Sequence, residues 1–172
     1  VANYGVGYDR IGADACAARG VAVTNTPGVL DAATADLAVA LMLAVRRGVV
    51  TGDRHVRAES WGSHWAEPQS LGREVSGTTL GIVGLGRIGS AVARRAHGFD
   101  MRVLHTRRRE GNLAELLRES DIVSLHVPLT PETTGLITRE RLASLKDGAT
   151  LVNTARGAVV DVERRQEFWN SA

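Results

Sequence analysis

Thr78-Thr79-Leu80-Gly81-Ile82-Val83-Gly84-Leu85-Gly86-Arg87-Ile88-Gly89 is the stretch that decides how this chain folds. A short apolar run leads without a spacer into three glycines spaced G-x-G-x-x-G. Residues 90–97 then read as a helix and Met101-Arg102-Val103-Leu104 as the next strand. In that frame each glycine has a physical role. Gly84 permits a tight turn, Gly86 lets a backbone approach a pyrophosphate, and Gly89 lets helix and strand pack closely. Unpaired N–H groups at the helix start favour anionic phosphate, and Arg87 and Ile88 lie inside that loop. The expectation is a dinucleotide site; a ligand-free structural turn is the bland alternative.

The pattern continues outward in both directions. Downstream, residues 113–118 read as a helix, 121–125 as a strand, 139–145 as a helix and 150–153 as a strand. Upstream, residues 1–6 and 21–24 read as strands flanking an alanine-rich helix over 12–19, with Gly20 as its cap. Strands alternate with helices, which predicts an α/β fold with a parallel sheet. A long helix is expected from Asp31 past Arg46, capped by Asp31 or Thr34. Residues 37–45 are apolar on every side, so this helix is expected to be buried between layers. A polar stretch over 53–73 carries Trp61 and Trp65, expected to pack or to touch a second subunit.

Composition excludes several classes. Hydrophobic residues make up 44% and charged residues 23% of 172 residues, unlike disordered, collagen-like or disulfide-built chains. The apolar run 37–45 is far shorter than the ~20 residues a membrane helix needs, so a soluble protein without a membrane partner is expected. A net charge of +2 gives no reason to expect a nucleic-acid partner. Cys16 is the only cysteine, which fits a reducing cytoplasm; it reads as a small buried residue. His55 and His64 lack the spacing of a metal site, and no metal is expected.

The choice of dinucleotide rests on the end of the second strand. A site for NAD usually carries an acid about 20 residues past the glycines, on the ribose 2′-hydroxyl. Here the sequence reads His105-Thr106-Arg107-Arg108-Arg109 before Glu110. Guanidinium groups bind a 2′-phosphate through paired hydrogen bonds, so NADP is expected over NAD, with Arg107 and Arg108 as readers. A solvated basic loop is the alternative.

Five segments in order resemble the D-isomer-specific 2-hydroxyacid dehydrogenase family. They are Asn3-Tyr4-Gly5-Val6-Gly7-Tyr8-Asp9, Val23-Thr24-Asn25-Thr26-Pro27-Gly28-Val29-Leu30, Leu80 to Gly89, His126-Val127-Pro128-Leu129-Thr130-Pro131-Glu132-Thr133 and Val152-Asn153-Thr154-Ala155-Arg156-Gly157. Within the family they look most like glyoxylate and hydroxypyruvate reductases, then phosphoglycerate dehydrogenases. The resemblance implies a Rossmann-type nucleotide-binding domain over residues 29–172, incomplete at its C-terminal end. It also implies a remnant of a flavodoxin-like substrate domain over 1–28, and a homodimer. The implied chemistry is hydride transfer between nicotinamide and a small 2-keto or 2-hydroxy acid. Arg156 matches the catalytic arginine, although on spacing alone it reads equally as a structural ion-pair partner. Val6 and Gly7 match the loop that holds the substrate carboxylate. Val127, Pro128 and Thr133 match the adenine and ribose pocket, and Thr154 and Ala155 the nicotinamide side.

Departures from the family pattern accompany the match. Only Glu110, Gly111 and Asn112 separate the arginine loop from Leu113, where the family has another strand. Its loss is expected to leave a new sheet edge and to disturb the adenine side of the pocket. The family's proton-transferring glutamate–histidine pair has no counterpart after Asp161. The chain starts at Val1 and stops at Ala172 without a closing element, so it reads as a piece of a longer protein. A nucleotide-sensing, corepressor-like protein and a non-functional fragment are therefore the competing readings.

Overall fold

The computed structural model describes residues 1–59, 71–107 and 111–161. Arg108, Trp61, Trp65, His64 and everything after Asp161 lie outside these residues, and with them the expectations placed there.

The strand that opens the glycine stretch, β1 (Thr79–Val83), is the second strand of a four-stranded sheet. With β2 (Arg102–Thr106), β3 (Ile122–Leu125) and β4 (Thr150–Asn153) it forms a wholly parallel sheet in the order β2-β1-β3-β4. Helix α4 (Arg87–Ala96) connects β1 to β2, and α5 (Leu113–Glu119) connects β2 to β3. Asn112 caps α5 by accepting from the N–H groups of Ala114 and Glu115 at 3.1 and 3.3 Å. The short α6 (Arg139–Ala143) precedes β4, with Thr138 as its cap.

Both faces of the sheet are covered, because successive side chains along each strand point to opposite sides. Leu80 and Ile82 of β1, Ile122 of β3 and Val152 of β4 share one core with Ala91, Val92 and Ala96 of α4. Val83, Val123 and Leu125 face the other way and pack with Leu116 and Leu117 of α5 and with Ile137, Val159 and Val160. Each fully buried aliphatic side chain contributes about 1.5–3 kcal/mol, so these two cores hold the unit together. The result is a three-layer, doubly wound domain, as the alternation of elements predicts.

Among the described residues β2 pairs only with β1, at the edge of the sheet. The chain leaves β2 and turns back at Gly111, whose φ is +85° and whose backbone lies against the His105 carbonyl.

Several expectations need correction. Helix α2 (Asp31–Arg46) forms where expected, but Leu30 is its cap and no side chain caps it. Asp31 sits inside the first turn and pairs instead with Arg87 at 3.3 Å. Nor is α2 buried all round. Ala35, Ala38 and Met42 enter the core, where α2 packs on α4 and β4, whereas Leu37, Leu41 and Val45 are 54%, 40% and 65% exposed. A run apolar on every side fixes the helix but not which side meets a neighbour.

The upstream strands shrink to a single parallel bridge between Ala2 and Thr24, with no further strand beside them among the described residues to extend a ladder. The helix between them is only α1 (Ala13–Ala17); it contains no buried residue, and Cys16 is half-buried. Finally, a helix that the sequence does not predict, α3 (Val49–Arg57), follows α2. No helix among the described residues is long and apolar enough to cross a membrane.

Candidate dinucleotide and carboxylate site

All four strands are parallel, so their carboxyl ends share one edge, the edge where doubly wound sheets bind ligands. There β1 runs into Gly84, whose φ is +99°. The N–H groups of Gly84 and Leu85 both donate to the Thr106 carbonyl at the end of β2, at 3.1 and 2.9 Å. A Cβ at Gly84 would stand 2.8 Å from the His126 carbonyl, so the segment after β3 lies directly across the glycine turn. A Cβ at Gly89 would stand 2.2 Å from the Gly84 carbonyl oxygen, so α4 sits against the turn without room for a methyl group.

At Gly86, by contrast, a Cβ would meet nothing within 4 Å. Helix α4 starts at Arg87, three residues earlier than expected. The first-turn N–H groups of Arg87, Ile88 and Gly89 therefore have no carbonyl within the helix to satisfy them. An open backbone next to free helix N–H groups fits a pyrophosphate. Arg107 is exposed and follows β2 at this same edge.

The segment after β3 is tightly folded. The Thr133 hydroxyl donates to the Pro128 carbonyl at 2.6 Å and accepts from the Thr130 N–H at 2.8 Å, which shapes the turn containing Val127 and Pro128. His126 lies between two hydroxyls. Its Nε2 is 2.8 Å from Ser124 Oγ and its Nδ1 3.4 Å from Thr154 Oγ1. It joins the ends of β3 and β4, and burial lowers its pKa from 6.5 to about 4.

After β4, Asn153 folds the chain back on itself. Its Oδ1 accepts from the Ala155 N–H at 3.0 Å and its Nδ2 donates to the Arg156 carbonyl at 2.9 Å. The Arg156 guanidinium is thereby carried to the N-terminal loop. A Cβ on Gly7 would overlap its Nη2, at 1.9 Å. That loop is shaped by three side chains whose roles the motifs alone do not reveal. Asn3 Nδ2 donates to the Gly5 and Gly7 carbonyls at 3.0 and 3.1 Å, and Asn25 Nδ2 to the Val6 carbonyl at 2.9 Å. Thr26 Oγ1 accepts from the Gly5 N–H at 3.1 Å. The N–H groups of Val6 and Gly7 have no partner among the described residues. Two free N–H groups beside a guanidinium suit a carboxylate.

The fold and these two features define a nucleotide-binding α/β domain of the dehydrogenase type. Residues 39–164 match the NAD binding domain of the D-isomer specific 2-hydroxyacid dehydrogenases, and the chain belongs to that family. The chain is 52% identical to a glyoxylate reductase of Pyrococcus horikoshii, over 98% of this chain and 56% of that protein. That alignment runs over 188 residues against 172 here, so the relative has residues that this chain lacks. A glyoxylate reductase structure from Paecilomyes thermophila superposes with a TM-score of 0.85 at 36% identity, covering 98% of this chain and 55% of that one. The D-lactate dehydrogenase of Aquifex aeolicus, complexed with NAD and lactic acid, gives 0.87 at 34%, covering 99% and 54%. The chain spans about half the length of the relatives it matches.

Proposed function

We propose that this chain binds a nicotinamide dinucleotide across the carboxyl edge of its sheet and acts in the reduction of a small 2-keto acid to a D-2-hydroxy acid. One observation carries the reading: the glycine turn follows β1 and Arg156, in contact with Gly7, follows β4, so both lie at the carboxyl edge of the one parallel sheet. Gly84, Gly86, Arg87, Ile88 and Gly89 hold the pyrophosphate. Val127, Pro128 and Thr133 wall the adenine and ribose, and Thr154 and Ala155 flank the nicotinamide. A bound nicotinamide would supply the hydride at C4, and water the proton that completes the hydroxyl. The N–H groups of Val6 and Gly7 and the Arg156 fork bind the substrate carboxylate, and the guanidinium polarises the keto oxygen as negative charge develops there.

Arg107 and Arg108 favour NADPH, because no carboxylate precedes them at the end of β2 to repel a 2′-phosphate. Fluorescence titration is expected to give tighter binding of NADPH than NADH, with oxidation of NADPH on adding glyoxylate. Arg107→Ala is expected to reduce the NADPH preference by about tenfold, 1.4 kcal/mol. Absence of binding to either nucleotide would overturn the whole reading; an unchanged preference in Arg107→Ala would overturn only the choice of NADPH.

Two copies joined through α2 fit the exposed stripe of Leu37, Leu41 and Val45. Sedimentation is expected to show a dimer that Leu41→Glu converts to monomer, since a buried unpaired charge is costly. A monomeric parent chain would overturn the dimer. A single cysteine suits a cytoplasmic setting.

A further inference from the structure

The guanidinium of Arg156 is held from the far end of the sequence. Its Nε donates to both carboxylate oxygens of Asp9, at 3.0 and 3.3 Å, and its Nη2 forms an ion pair with Oδ1 at 2.9 Å. Its Nη1 donates to the Ala155 carbonyl at 3.0 Å. The contacts with Asp9 engage the Nε–Nη2 edge of the planar guanidinium. Each terminal nitrogen carries two N–H groups and keeps at least one without a partner among the described residues, available to a carboxylate. The Asp9 side chain is 17% exposed and that of Arg156 41%. The hydrogen bond from Arg156 holds the Asp9 carboxyl below the usual carboxylate range, so it stays ionised.

We infer that Asp9 is a positioning residue for Arg156, clamping the Nε–Nη2 edge of the guanidinium against Gly7 so that its remaining N–H groups are preorganised for a substrate carboxylate. This rests on the carboxylate seat proposed above. A long arginine side chain loses rotamer entropy when it is fixed. With Asp9 as clamp, that ordering precedes substrate binding, so the substrate need not supply it. Asp9 lies shortly before α1 and 147 residues from its partner, so the clamp also ties the N-terminal loop to the end of β4.

The test uses the 172-residue chain and its variants Asp9→Ala, Asp9→Asn and Asp9→Glu. Phenylglyoxal labelling of Arg156, followed by mass spectrometry, reads the clamp without any substrate. It is expected to be several-fold faster in Asp9→Ala and Asp9→Asn, and to return towards the parent rate in Asp9→Glu. Oxalate binding in the presence of saturating NADPH reads the consequence. It is expected to weaken about tenfold in Asp9→Ala and to recover partly in Asp9→Glu, with NADPH affinity unchanged throughout. Equal labelling rates would overturn the clamp. Faster labelling with oxalate affinity unchanged or tighter would overturn the positioning role and make Asp9 a competitor for the fork. Faster labelling in the variants, with a parent chain that binds NADPH but no oxalate, would overturn the carboxylate seat, and the positioning role with it.

Discussion

Gly89→Ala is expected to lower stability by about 3 kcal/mol, the upper end of the usual overpacking range, and to abolish measurable dinucleotide binding. The added methyl carbon would stand 2.2 Å from the Gly84 carbonyl oxygen and 3.1 Å from Ile82 Cγ2. The first obstacle is backbone, which has no rotamer to retreat into, and the second is a fully buried side chain. Helix α4 must therefore shift outward, opening the contact of Ala91 and Val92 with β1 and moving the helix N–H groups away from Gly84. For a domain of this size the midpoint of thermal unfolding should fall by roughly 6–12 °C. Gly86→Ala is the informative control. Its methyl group meets nothing, so stability should stay within about 0.5 kcal/mol, while nucleotide affinity should drop at least about tenfold. Equal melting of the parent chain and Gly89→Ala would refute the packing argument.

The second large effect is on acid stability. Burial holds His126 near a pKa of about 4 in the folded chain, against 6.5 when unfolded. Between these values the unfolded chain binds the extra proton, so stability is full above pH 6.5 and falls as pH drops towards 4. At ~1.4 kcal/mol per unit, the loss at pH 4 is about 3 kcal/mol. His126→Gln keeps hydrogen bonding to Ser124 and Thr154 but does not titrate. Urea unfolding of both chains at about pH 7 and about pH 4 isolates this residue from the carboxylates. The parent chain should lose about 3 kcal/mol more than the variant, and equal losses would exclude His126 as the cause.

How much of the molecule is legible in its sequence follows from how local each signal is. The β1–turn–α4–β2 unit is legible because its apolar periods and its glycines all lie within one short stretch. The strand loss before α5 is legible for the same reason, since so few residues leave no room for another strand. Helix α3 is not legible. Its sequence is polar, holds Gly52 in its interior, and buries none of its residues, so no core-facing stripe marks it. The exposed side of α2 cannot be read either, because facing depends on α4 and β4, elements far along the chain. At the site, the motifs mark the segments but not their partners. The Asp9 clamp spans 147 residues, and Asn3, Asn25, Thr26 and Asn153 act through backbone hydrogen bonds that leave no spacing pattern.

Residues 1–30 include no buried residue, and neither apolar core contains a side chain from them. Their attachment is made of polar contacts at the surface, which are the first to open in native-state fluctuations. This chain therefore carries two separate thresholds for opening. Amide hydrogens of the N-terminal loop exchange at a low free energy set by that attachment, while those of β1 and β3 wait for unfolding of the whole sheet. The loop that meets Arg156 can therefore open at a lower free energy than the glycine turn, so access to Arg156 and stability of the β1–α4 unit are set by different parts of the molecule.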